Sequence, residues 1–339
     1  MKKIISLLVI LAIFCSLFCV GSLAAESGLS AVVTIGEKTQ NVLPSGNIFY
    51  LPASVDIKNV KLSTGQMLDL SGAKTTDARG AECYVLSVDG TKYTFYHGGV
   101  ASLFVETSNG LSYIEQSKNN RDKKAKIAIV NEKGEVEYCD TEETSSEIKG
   151  RGNATWSYYK KPYQIKLSSK KEILGMDKAK TWILLANYTD QSALHNALAF
   201  KLGEDLSVPY NIEYNFVDLY IDGSYRGFYM ICEKVQIDGN RIDISELEKD
   251  NEAANPNVDF EALSQKTVTS GTLIKNSIIT SYTYTVGVKS PEDITGGYIV
   301  ELDNIRGSSE PSRFTTENGN TYVVKSPEFA SKEEMEYIA

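Results

Sequence analysis

Short β-prone runs, cut apart by turn-forming residues, restrict this chain more than any other feature. Residues 31–35, 48–51, 83–88 and 92–96 are rich in β-branched and aromatic side chains, and Gly, Asn, Asp, Ser and Pro lie between them. Asp89-Gly90 joins the last two runs as a tight hairpin turn. Residues 25–100 are therefore expected to form a small all-β accessory domain. No acid–base pair, nucleophile or phosphate loop stands out there. His97-Gly98-Gly99 has the composition of an oxyanion loop, but no Gly-x-Ser-x-Gly follows it, so a hydrolase lacks support.

Ahead of this region, Lys2 and Lys3 precede an apolar run over 4–20, and Ser22-Leu23-Ala24 supplies small residues at alternating positions. The pattern predicts a signal peptide, residues 1–24, cut after Ala24. The run is at the short limit for a membrane anchor. Cys15 and Cys19 follow Phe14 and Phe18, where a lipoprotein would need a small residue. The formal net charge is −9, and cleavage would remove two lysines and no acid. That charge speaks against nucleic acid and anionic surfaces as partners. The expectation is a secreted chain with no membrane contact after cleavage. Two histidines leave little room for a multi-histidine metal site. Cys83, Cys139 and Cys232 are an odd set without metal spacing, best read as small buried apolar residues.

The polar stretch 117–126 reads as a solvated loop or linker. From Ile127 strands return: a hairpin over 127–130 and 135–138 through Lys133-Gly134, then the strictly alternating Tyr163-Gln164-Ile165-Lys166-Leu167, then the apolar run 182–186. Thr189 or Asp190 can cap a helix over 191–206, with Leu194, Leu198 and Leu202 on one stripe and His195 beside it. A second hairpin is expected over 216–221 and 227–232 across Asp222-Gly223. Residues 246–285 are polar and read as an insertion or mobile loop. Strands follow at 297–302 and 321–325. Ser331-Lys332-Glu333-Glu334 is a capping box. The helix it opens meets the last residue, Ala339, without a C-cap signal, so the chain is expected to be a fragment.

Three segments carry candidate chemistry. Gly150-Arg151-Gly152-Asn153 exposes backbone amides and sets a planar cation among them, which suits phosphate. On pattern alone it is equally a tight turn with Trp156 as a core plug. Asn153-Ala154-Thr155 also matches a glycosylation acceptor. Lys166 shares a strand face with Gln164 and can reach a nucleotide phosphate, with Lys160 and Lys161 raising the local potential; an exposed strand lysine is the plainer alternative. Glu233, Lys234 and Val235 end a strand in the position of a hinge whose backbone binds adenine, or are simple solvated residues.

The motifs Lys149-Gly150-Arg151-Gly152-Asn153-Ala154-Thr155-Trp156, Lys161-Pro162-Tyr163-Gln164-Ile165-Lys166-Leu167, Leu174-Gly175-Met176 and 182–188, together with Asn196-Ala197-Leu198-Ala199, Val217-Asp218-Leu219-Tyr220, Gly227-Phe228-Tyr229, Glu233-Lys234-Val235 and 297–303, resemble the CotH (spore coat protein H) kinase family in order and spacing. The resemblance covers 101 to the end. It implies an α+β architecture: the small all-β N-terminal domain at 25–100, then an atypical kinase-like lobe at 101–339, incomplete at its C-terminus. It further implies an atypical protein kinase that uses ATP and Mg or Mn on Ser or Thr of secreted or spore-coat proteins. By the same resemblance Arg151, Gly152, Asn153 and Lys166 lie near phosphate, and Glu233, Lys234 and Val235 near adenine. The family's Trp-Asp-x-Asp segment does not occur before Ala339, so no catalytic aspartate and no metal ligand is carried over, and this chain alone is expected to be inactive. The competing reading is a non-catalytic exported scaffold that binds cell-surface components or polysaccharide.

Overall fold

The computed structural model describes residues 28–269, 279–305 and 307–338. The expected signal peptide lies outside them. Contacts divide the chain into two units, one ending at Lys234 and one beginning at Val235. The boundary expected at residue 100 lies inside the first unit.

The first unit begins with β1 (Ala31–Ile35), β2 (Lys38–Val42), β3 (Ile48–Leu51), β4 (Val60–Leu62), β5 (Met67–Leu68), β6 (Lys74–Thr76), β7 (Glu82–Val88) and β8 (Thr91–His97). They form two four-stranded sheets, ordered β2-β1-β4-β5 and β3-β8-β7-β6. Asp89 and Gly90 both take positive φ in the β7–β8 turn, as a right-twisted two-residue hairpin requires.

Next come β9 (Ala101–Glu106), helix α1 (Leu111–Gln116), β10 (Arg121–Val130), β11 (Val136–Cys139), β12 (Ser146–Gly150), β13 (Tyr163–Ile173), β14 (Met176–Leu185), helix α2 (His195–Asp205), β15 (Tyr214–Ile221) and β16 (Ser224–Glu233). These strands make one sheet ordered β11-β10-β12-β13-β14-β16-β15-β9, and a further β9–β10 pairing closes it into a barrel. The ring also contains one parallel pairing, of β9 with β15, Ala101 to Val217 through Val105 to Ile221. Alternation then fixes which residues fill the interior: Ile148, Ile165, Trp182, Leu184, Leu219 and Ile231 point inward and are at most 1 % exposed. A second core joins the two small sheets to the outside of the barrel through Phe104, Ala128, Val130 and Tyr220.

Four expectations change here. The 117–126 linker becomes, from Arg121 onward, a barrel strand with Asp122 fully buried. The polar stretch 246–285 holds helix α3 (Leu247–Ala254) and strands β17 (Gln265–Thr269) and β18 (Ile279–Thr285); its residues 270–278 lie outside those described. Helix α2 begins only at His195, because the Asp190 carboxylate accepts from the Ser192 and His195 amides and Ala193 takes positive φ. The leucine stripe also turns outward, with Leu198 64 % exposed, while Ala197 and Phe200 pack on Ile183, Met230 and Cys232. Two substitutions test this packing. Leu198→Lys should shift unfolding by no more than about 0.5 kcal/mol. Met230→Ala should cost about 2–5 kcal/mol in urea denaturation.

The second unit adds β19 (Ile299–Leu302), β20 (Arg313–Thr316), β21 (Thr321–Ser326) and helix α4 (Lys332–Ile338), in a sheet ordered β17-β18-β20-β21-β19. The expected capping box is formed: the Glu334 amide donates to Ser331 Oγ at 3.1 Å and the Ser331 amide to Glu334 Oε2 at 2.6 Å.

Candidate functional site

Pairing register places Lys166, together with Arg121 and Lys149, on one outer face of the barrel. Ile148, Ile165 and Trp182 face inward, so their neighbours face out. Arg121, Lys149, Gln164, Ile183 and Cys232 follow one another across β10, β12, β13, β14 and β16. One step along, Glu147 pairs with Lys166 and Lys166 with Thr181. Arg151 continues the β12 row, close enough to Cys232 for the two to interact electrostatically. Lys234, one residue past the inward-row Glu233, interacts with Lys149.

This face is strongly positive. Burial pushes the Lys149 ammonium below its usual range, and Arg121, Lys234 and Lys118 push it further down. Glu147 offsets part of the charge through an ion pair with Arg121 at 3.3 Å. The half-buried Arg151 guanidinium is likewise shifted down by burial. Neither Lys149 nor Arg151 has a side-chain hydrogen bond or ion pair to a described residue. Lys166 is exposed and also lacks such a partner.

The glycines of the loop have separate tasks. A Cβ on Gly150 would lie 2.4 Å from the Trp156 ring, so Gly150 is the floor on which Trp156 rests. Gly152 takes φ +90°, and a Cβ there would meet Thr155 Oγ1 at 2.2 Å. Trp156 is half-buried over the loop rather than a core plug. The exposed Asn153 accepts from Lys118 Nζ at 3.1 Å. The Arg151 amide is occupied by Pro162 O at 3.2 Å.

Lys160 and Lys161 do not join the positive face. Lys160 Nζ donates to Ala186 O at 2.9 Å and to Phe228 O, and lies 4.3 Å from the Tyr229 ring centroid. Lys161 Nζ donates to Trp156 O and Tyr158 O at 2.9 and 2.8 Å. Both lysines brace the loop, because a half-buried ammonium must spend its donors on local carbonyls. Their place is taken by Arg121, Lys149 and Lys118. The alternation of Ser146-Glu147-Ile148-Lys149-Gly150 was the available signal for Lys149; Arg121 was hidden in a segment read as linker.

The strand end divides. Glu233 is buried, its amide donating to Glu213 O and its Oε2 accepting from the Glu213 amide, both at 3.1 Å. Lys234 is exposed, and the exposed Val235 opens the second unit. Cys83 and Cys232 are buried and Cys139 half-buried, and none is in a disulfide. His195 is exposed at the start of α2. Among the described residues no three His, Cys, Asp or Glu side chains are grouped to hold a metal ion. No helix among them is long and apolar enough to cross a membrane.

The family model described as CotH kinase protein matches residues 148–332, which begin at Ile148 on β12 and include the whole Gly-Arg-Gly-Asn loop. No curated protein matches the chain.

Proposed function

Because the chain belongs to the CotH kinase protein family, we propose that it is an exported atypical protein kinase that takes the phosphates of ATP on the outer barrel face and phosphorylates Ser or Thr of secreted or spore-coat proteins. The observation that carries this reading is the pair Lys149 and Arg151. Both are partly desolvated cations with no side-chain hydrogen bond or ion pair to a described residue, Lys149 feeling only the nearby Glu147 charge, in a chain of net charge −9. A partly buried cation is costly until an anion meets it, and a triphosphate supplies several anionic oxygens with the geometry a guanidinium fork prefers. Lys166 stands on the same face within the sheet and would add a mobile point charge. Glu233 and Lys234 would border the adenine. No three His, Cys, Asp or Glu side chains among the described residues are grouped to hold the Mg or Mn that phosphoryl transfer uses, so no step is assigned to it.

The test is transfer of labelled phosphate by the full-length gene product, given ATP, Mg or Mn, and a coat or cell-surface protein. Arg151→Gln and Lys166→Gln should each lower ATP affinity about tenfold or more, since a charge-assisted hydrogen bond contributes about 1.5–3 kcal/mol. Transfer that is indifferent to both substitutions would sink the proposal. Absence of ATP affinity by calorimetry would favour a non-catalytic scaffold.

A further inference from the structure

A cavity of about 250 Å³ lies in the first unit, away from the positive face, between the small β-sheets and the barrel. Tyr50, Tyr96 and Gly98 wall it from the sheets; Asp218, Tyr225 and Phe228 wall it from β15 and β16. Its chemistry turns on Asp218, which is only 6 % exposed. Oδ1 accepts the Tyr225 hydroxyl at 2.7 Å. Oδ2 accepts no hydrogen bond from any described residue. Lys160 acts on Asp218 electrostatically but forms no ion pair with it, having spent donors on Ala186 O and Phe228 O.

We propose that this cavity binds an alkylammonium group, the amine meeting Asp218 Oδ2 and the alkyl chain lying against the tyrosine and Phe228 walls. A carboxylate oxygen on a largely buried aspartate, with no hydrogen-bond donor of its own, favours a cation. The aromatic walls give the alkyl chain an apolar surface to lie against. The Tyr50 ring is stacked on both Tyr96 and Tyr225, with centroids 5.4 and 4.4 Å away, so the wall is rigid and pre-formed.

Gly98 explains the His97-Gly98-Gly99 segment that the kinase reading leaves unused. A Cβ at Gly98 would lie 2.6 Å from Asp218 Oδ2. The missing side chain is therefore what keeps this oxygen reachable.

The probe is n-butylamine, titrated into the full chain at pH 8 and followed by NMR shifts of the Tyr50, Tyr96 and Tyr225 rings, with n-butanol and methyl glucoside as controls. Saturable shifts with butylamine, and affinity at least tenfold weaker in Asp218→Asn, are expected. Gly98→Ala should abolish the shifts; should that variant not fold, Asp218→Asn, which keeps the shape, decides alone. Equal response to butanol, preference for the glucoside, or unchanged affinity in Asp218→Asn would overturn the proposal. Binding of ATP on the outer face is a separate readout and stands or falls independently.

Discussion

Lys160→Ala is expected to cost about 3–5 kcal/mol of unfolding free energy, as measured by urea denaturation. The ammonium donates to Ala186 O and Phe228 O and lies over the Tyr229 ring. Removing it takes a donor from the carbonyls of buried Ala186 and half-buried Phe228, at about 1–3 kcal/mol each. It also deprives the buried Asp218 carboxylate of the charge that helps hold it ionised. Lys160→Met, which keeps the stem, should recover part of the loss through packing. The pH profile separates the charge from the packing. Burial lowers the Lys160 pKa from 10.5 to about 8, with Asp218 acting the other way. Between these values the unfolded chain binds more protons than the folded one, so this group's contribution to stability rises with pH across that window. Wild type should therefore gain stability relative to Lys160→Met as pH rises from 8 to 10. A parallel pair of profiles would show that the ammonium is not desolvated.

The contrast between Lys160 and Lys149 shows what the sequence could and could not disclose. Hairpins were legible because each is written locally: Asp89-Gly90 and Asp222-Gly223 take the positive φ values that two-residue turns demand. Strand identity was legible wherever alternation ran clean, as in Tyr163-Gln164-Ile165-Lys166-Leu167. That same alternation placed Lys166 on the outer face correctly. Barrel closure was not legible, because β9 pairs with β15 across more than a hundred residues and neither strand announces the other. Without closure, the partners of each cation could not be assigned. Lys160 and Lys161 look as available as Lys149 in a one-dimensional reading. Only the return of Ala186 and Phe228 to its side turns Lys160 into a brace, whereas Lys161 is held locally by Trp156 O and Tyr158 O. The leucine stripe of α2 misled for a related reason. Periodicity marks an apolar face, but the barrel wall met the Ala197–Phe200 side instead.

Asp122→Ala is expected to cost about 3–5 kcal/mol, although the residue sits in a stretch whose composition reads as solvent-exposed linker. Its carboxylate is fully buried and accepts from the Ser108 amide and hydroxyl at 2.6 and 2.7 Å, the Asn109 amide at 3.1 Å and the Lys124 amide at 2.9 Å. The first three bonds fix the turn that leads into α1. That helix is six residues long and is capped at Gly110 without a side-chain hydrogen bond, so it cannot persist alone. Yet it carries Ile114 into the barrel core, and Glu115 to the Tyr163 hydroxyl at 2.6 Å and Arg226 at 3.0 Å. Loss of Asp122 thus strips three backbone donors and a hydroxyl of their acceptor, and frees the element that closes one part of the core. Burial raises the Asp122 pKa, but the hydrogen bonds from Ser108, Lys124 and Asn109 outweigh it and leave the pKa below 3.8. A depressed carboxyl pKa contributes stability that is complete above 3.8 and is lost as pH falls through the folded value. Asp122→Asn preserves the shape but turns an NH₂ toward amide donors, so it should lose about 2–3 kcal/mol at neutral pH. The same variant should show a flatter stability profile below about pH 4, where wild type is giving up this contribution. An Asp122→Asn protein as stable as wild type at neutral pH, with an unchanged acid limb, would mean that the 107–110 turn and α1 are held by something other than this carboxylate.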